Sequence, residues 1–474
     1  MRHTTFALAA LTASILTACG GGGASTGDQS IKTKFSAQVS FGDSLSDVGT
    51  YAVGTVQALG GGHFTINGNN TASNPALTGK NWTELTAVQF GVAAPCPAQT
   101  GLDGDASKGF SVPVAVHAGC YGYAQGGARV TDPVGPGNKL TGSPLGSLTV
   151  PVVTQIKNHL AAVGGKFKGD EMVLVMAGGN DVLAQLDILS SAATAAGQAA
   201  GQAEGARVGG LTFADKLSTA LAANAPDPVA AKQAVLVAIG TENARVGHTD
   251  ATVVGAAVTA AATQPGNSAV GAPAVYGPLV VQAQADATAA GTAAGATAGA
   301  KAGADYAAAH GPELVAALGQ AGAELVALVK TQIVANGANY VTVNNLPDVA
   351  ATPSSLSQPA ATRALIAAMV KAFNDQLSSG LAGEAKVLLV DVYSTSHDQG
   401  VNPGPYGLTN VTDTACDLSP AKNPLASSLV CTASNLKAGD VSHYAYADGV
   451  HPTPFNNLLL ARFVAEKLVV KGWL

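Results

Sequence analysis

The chain has 474 residues, a net charge of −6 and only 11% charged side chains. It has no basic excess to meet a phosphate backbone, which argues against nucleic-acid binding, and its 47% hydrophobic content argues against charge-driven disorder. Only 5% is aromatic while 57 residues are glycine, so part of the chain must pack backbone close to backbone or not pack at all.

Arg2 and His3 precede an apolar run from Phe6 to Ala18. That run is too short for a permanent membrane helix and fits the core of a signal peptide over residues 1–18. It ends in Leu16-Thr17-Ala18-Cys19, which resembles a bacterial lipobox. The resemblance implies cleavage before Cys19, lipid on its sulfur, a membrane anchor and an outer-membrane or cell-surface address. An ordinary signal peptide cut nearby is the alternative. Residues 19–35, opening with Gly20–Gly23, read as a flexible tether.

The next element is 36–43, a short apolar strand running into a turn. Residues 171–177, 339–344 and 386–390 are further apolar runs of the kind that buried parallel strands show. Helical patterns fall at 80–90, 151–163, 362–377 and 456–470. This alternation predicts an α/β domain, a parallel sheet covered by helices on both faces. It is divided between residues 36–189 and 326–474.

The segment between them, 190–325, has a different composition: Ala, Gly, Thr and Gln with almost no aromatics. Gly197, Gly201, Gly205 and Gly209 recur every four residues, as do Gly291, Gly295, Gly299 and Gly303. Spacing of four keeps each set on one helix face. Each glycine costs a helix ~1 kcal/mol relative to alanine, so the pattern makes sense where two helices approach closely. The expectation is a helical hairpin with a glycine seam, serving as lid or spacer. The alternative is a low-complexity linker. Gln202, Glu204, Arg207, Lys301 and Asp305 argue against a membrane span.

Beyond Cys19, Cys96, Cys120, Cys416 and Cys431 suggest two disulfides in an exported chain. Three connectivities are possible, and sequence proximity favours Cys96–Cys120 and Cys416–Cys431. No Cys/His spacing supports a zinc site.

Four short blocks carry the chemistry. Phe41-Gly42-Asp43-Ser44-Leu45-Ser46-Asp47 sets a serine just past a strand, at the sheet edge where α/β folds bind ligands. Asp448-Gly449-Val450-His451-Pro452 supplies an imidazole to take a hydroxyl proton and a carboxylate to orient that ring. Gly178-Gly179-Asn180-Asp181 follows the 171–177 strand and offers an amide donor to a developing oxyanion. Gly122-Tyr123-Ala124-Gln125-Gly126-Gly127-Ala128-Arg129 offers a backbone N–H to the same charge.

Together, and in this order, the four blocks resemble the GDSL (SGNH) hydrolase family. The resemblance implies a three-layer α/β/α, flavodoxin-like core and serine-dependent hydrolysis of carboxylic esters without metal or cofactor. Carried over by position, Ser44 is nucleophile, His451 base and Asp448 its orienter. The Ser44 and Gly127 N–H groups and the Asn180 amide form the oxyanion hole. Gly122 stands where the family often has Asn. The Gly-Asp-Ser-Leu-Ser-Asp form resembles the family's extracellular bacterial lipases and acyltransferases. Lipid acyltransferase, carbohydrate O-acetylesterase and an inactive surface adhesin are the alternative functions. Asp47 reads as a helix-start carboxylate near Ser46, Asp43 as a turn residue, and His397 and His443 as structural or surface.

Overall fold

Four runs of continuous apolar sequence form one parallel sheet, as buried strands covered on both faces do. They are β1 (Gln38–Gly42), β2 (Met172–Met176), β3 (Tyr340–Asn344) and β4 (Val387–Val390), side by side in that order. The structure is a computed structural model that describes residues 33–68, 77 and 79–473. The expected signal peptide, Cys19 and most of the 19–35 tether lie outside the described residues. Register pairs Phe41 with Val175, Val175 with Val343 and Val343 with Leu389. A short edge segment, 121–123, lies beside β1: Ser40 N–H donates to the Tyr121 carbonyl at 3.0 Å and Tyr123 N–H to the Ser40 carbonyl at 2.8 Å. Numbered along the chain, the five segments stand in the order 2-1-3-4-5. The architecture is mixed α/β with a parallel sheet.

The principal helices are α1 (Trp82–Gln89), α2 (Val152–Ala162), α3 (Gly179–Ala222), α4 (Pro228–Asn243), α5 (Asp250–Ala262), α6 (Pro273–Leu328), α7 (Ala360–Gly380) and α8 (Pro454–Val470). Asn81 and Glu84 close a capping box at α1, and Thr453 caps α8 ahead of Pro454. One sheet face packs Met172, Leu174 and Met176 against Trp82 of α1 and Val464 and Leu468 of α8. The other packs Val173, Val175 and Val343 against Ile156 of α2, Leu318 and Leu325 of α6 and Phe373 of α7. His159 of α2 is enclosed by Phe41, Tyr121, Tyr123 and Phe167, and burial pushes its pKa down to about 4.

The insertion is a helical hairpin. α3 is 44 residues long, about 66 Å at the α-helical rise, and α6, 56 residues long, returns beside it. By length and composition alone, the return helix could cross a membrane. Its glycines instead face those of α3. A Cβ at Gly201 would lie 2.8 Å from the Gly295 carbonyl oxygen, and one at Gly295 would lie 2.7 Å from that of Gly201. Gly205 and Gly291 meet in the same way, at 3.0 and 2.7 Å. At the far end, α4 and α5 close a separate small core around Leu217, Leu221, Val235, Ile239 and Val253.

The hairpin does not begin at 190 or end at 325. α3 starts at Gly179 and runs unbroken into it, while Leu314, Leu318 and Ala321 of α6 are buried in the main core. Composition changes where the glycines begin, but the packing boundary follows the side chains that reach the sheet. They extend further into α6 than the composition does.

Cys96 is bonded to Cys120 and Cys416 to Cys431. The first bond abuts the 121–123 edge segment. The second closes the loop that carries Ser428.

Candidate active site

The C-terminal edge of the sheet collects all four sequence blocks. Ser44 follows β1, Asn180 opens α3 after β2, Gly127 follows the edge segment, and His451 precedes α8. Ser44 Oγ lies 2.8 Å from His451 Nε2. His451 Nδ1 lies 2.9 and 2.8 Å from Asp448 Oδ1 and Oδ2. With Nδ1 donating to the carboxylate, the Nε2 lone pair faces the serine hydroxyl. The gap of 407 residues between Ser44 and His451 closes into one hydrogen bond.

Asp448 is buried at 4% exposure, and it is held in place as well as held ionised. Its Oδ2 accepts from Ser428 N–H at 2.7 Å, and its Oδ1 accepts from Val450 and His451 N–H at 3.0 and 2.9 Å. Burial raises its pKa, but the His451 ring and these donors outweigh that and hold the carboxyl well below the usual range. Ser428 was not legible as part of the site, since a backbone donor leaves no mark in sequence.

Three residues that line the cleft with the serine hydroxyl carry N–H donors without a protein acceptor among the described residues. Asn180 spends one amide hydrogen on the Ala128 carbonyl at 2.9 Å, leaving the second. Among the described residues, the N–H groups of Ser44 and Gly127 donate to no protein acceptor. Ser44, Gly127, Asn180 and His451 line one cleft of about 260 Å³, with Phe64, Leu145 and Leu183 among its apolar walls. Gly127 has φ +79°, and a Cβ there would lie 2.2 Å from the Pro136 carbonyl oxygen, so no other residue fits.

Asp47 is not a helix-start carboxylate. It is fully buried, and its Oδ1 accepts from Gly49 and Thr50 N–H at 2.9 and 2.8 Å, while its Oδ2 accepts from Gly126 N–H at 2.9 Å. Burial raises its pKa against these donors. Tyr51 Oη donates to the Gly126 carbonyl at 2.7 Å. Both ends of Gly126 are therefore clamped from the Ser44 loop. Gly122 supplies no side-chain support: a Cβ there would lie 2.6 Å from Val48 Cγ2 and 2.8 Å from the Cys96 carbonyl oxygen. Support for the Gly126–Gly127 turn comes from Asp47 and Tyr51 instead.

Asp43 turns the chain, its Oδ1 accepting from Leu45 N–H at 3.0 Å, and burial pushes its pKa up to about 7. Asp181 anchors α3 by accepting from Arg129 Nε and Val130 N–H, both at 3.1 Å. His397 pairs with Asp348 at 2.7 Å, and His443 stacks on Phe455, both apart from the cleft. Among the described residues, no three His, Cys, Asp or Glu side chains gather as a metal site would need.

A scan against protein-family models finds no match to this chain, and a search of curated proteins finds none either.

Proposed function

We propose that this chain is a serine carboxylester hydrolase of the GDSL (SGNH) type. The observation that carries this is the continuous chain of hydrogen bonds from Ser44 Oγ through His451 to Asp448, in one cleft with three unspent donors. The 2-1-3-4-5 order of sheet segments supports the finer, flavodoxin-like description of the core.

In this reading, Ser44 Oγ attacks the ester carbonyl carbon as its proton passes to His451 Nε2. Asp448 stabilises the imidazolium and holds its tautomer. The carbonyl oxygen becomes an oxyanion among Ser44 N–H, Gly127 N–H and the Asn180 amide, where one donor is worth about 10²–10³ in rate. Collapse breaks the bond to the alcohol, which leaves with the proton from His451. Water then attacks the acyl-serine with His451 as base, releasing the acid and restoring the Ser44 hydroxyl. A lipid anchor on Cys19 would hold the enzyme at a membrane surface, and an acyl-modified mature N-terminus in mass spectra is its signature.

The test is hydrolysis of p-nitrophenyl esters. Wild type is expected to be active, while Ser44→Ala and His451→Ala lose at least about 10³-fold in turnover, with losses far from additive. Near-full activity in either variant removes the assignment.

A further inference from the structure

The reactive cleft adjoins a second, larger groove at the root of the hairpin. Leu183 and Val349 line both. The groove encloses about 590 Å³ and runs along α3 from Leu183 to Gly197, under α6 and beside α7. Leu183, Leu186, Ser190, Ala193, Thr194 and Gly197 share one face of α3, at the spacings that a straight helical stripe requires. Leu189, Val349 and Ile366 are buried along the apolar floor, while Asp187, Ser190, Thr194 and Gln358 are exposed on its rim.

An apolar floor with a polar rim suits a flexible hydrocarbon chain that keeps one side toward water. Length sets the class. Leu183 to Gly197 is fifteen residues, fourteen helical rises or about 21 Å along the helix. An extended alkyl chain built from C–C bonds of about 1.5 Å advances about 1.25 Å per carbon, so the groove holds about seventeen carbons. We propose that it seats the acyl chain of a long-chain ester whose carbonyl is bound at Ser44, making the preferred substrate a lipid. This rests on the hydrolase reading above, and it gives the hairpin root a role in selectivity.

The small cavity behind Leu45, lined by Trp82, Met176, Val392 and Phe463, is the competing acyl site. It measures about 80 Å³. An apolar cavity of about 150 Å³ takes benzene, so this one admits about three carbons.

The experiment is an acyl-length series of p-nitrophenyl esters from acetyl to palmitoyl, on wild type, Ser190→Trp and Thr194→Trp. Both positions are exposed on the rim, so both variants should fold. Wild-type kcat/KM should rise toward palmitoyl. Ser190→Trp should cut palmitoyl at least tenfold and leave butyryl within twofold. Thr194→Trp should set its cut-off four or five carbons further along. A wild-type optimum at butyryl, or variant profiles parallel to wild type, overturns the groove and leaves the hydrolase reading intact. If wild type hydrolyses no ester, the hydrolase reading fails by itself. The groove is then judged by binding of a fluorescent C18 fatty acid: binding weakened tenfold in Ser190→Trp sustains it, and equal binding or none overturns it.

Discussion

In the proposed hydrolase, the buried Tyr51 hydroxyl would act on the reaction without touching the substrate. A peptide unit is planar and trans, so fixing a carbonyl fixes the next N–H in the opposite direction. By donating to the Gly126 carbonyl, Tyr51 aims the N–H of the cleft-lining Gly127 away from itself. Its hydroxyl also accepts from Thr149 N–H at 3.3 Å. Tyr51→Phe keeps the ring and removes this clamp together with the longer bond from Thr149 N–H. Expected is a fall of about tenfold in kcat with KM within twofold, as for a misaligned oxyanion donor. A variant that loses thermal stability but keeps wild-type kcat would show that Tyr51 serves packing alone. Of the residues at this scale, Ser44, Asn180, Asp448 and His451 were legible because their chemistry is local to short blocks. Asp47 was misassigned because its partner, Gly126, lies 79 residues away.

At the scale of elements, the α3–α6 hairpin depends on what glycine lacks. Its helices approach until carbonyl oxygens occupy the space of missing side chains. Small-residue seams give close contact but little interlock, so they tolerate no bulk. Gly201→Leu would drive a side chain into the Gly295 carbonyl. Overpacking of this kind costs about 1–3 kcal/mol, while the better helix propensity of leucine returns under 1 kcal/mol. The expected outcome is faster amide hydrogen exchange in residues 195–210 and 290–305, with exchange in the sheet unchanged. Slower exchange throughout the hairpin would mean that the two helices do not depend on this contact. The periodicity of four was visible in sequence. The seam between the two sets was expected too, but which glycine meets which was not, because the turn that sets the register lies in the distal helices.

For the whole molecule, the question is which residues belong to the sheet domain. Leu314, Leu318 and Ala321 pack against the core from the α6 side, and Leu189 does so from α3. Replacing residues 190–322 with a short linker would remove buried side chains from the core, at about 2–5 kcal/mol for each large one. That chain is expected not to fold. Replacing residues 202–294 instead joins Gly201 to Gly295 where the two helices already touch. It removes the distal core and keeps both walls of the groove. Expected is a cooperative melt within a few degrees of the full chain, measured by circular dichroism, and an unchanged acyl-length profile. Loss of folding in this second deletion would place the distal helices within the same cooperative unit as the sheet.

The four strands, the covering helices α1, α2, α7 and α8, and the blocks bearing Ser44, Asn180 and His451 follow from sequence alone, because apolar runs and turn chemistry act between near neighbours; that α6 also covers the sheet does not. The edge segment at 121–123 did not, since Tyr-Gly-Tyr lacks an apolar run and becomes a strand only by pairing with Ser40. Only the tertiary structure decided that Ser428 steadies Asp448, that Asp47 and Tyr51 hold Gly126, and that α3 lines a groove beside the cleft. Each of these rests on backbone groups or empty space brought together across long stretches of chain, and neither leaves a mark in the order of the residues.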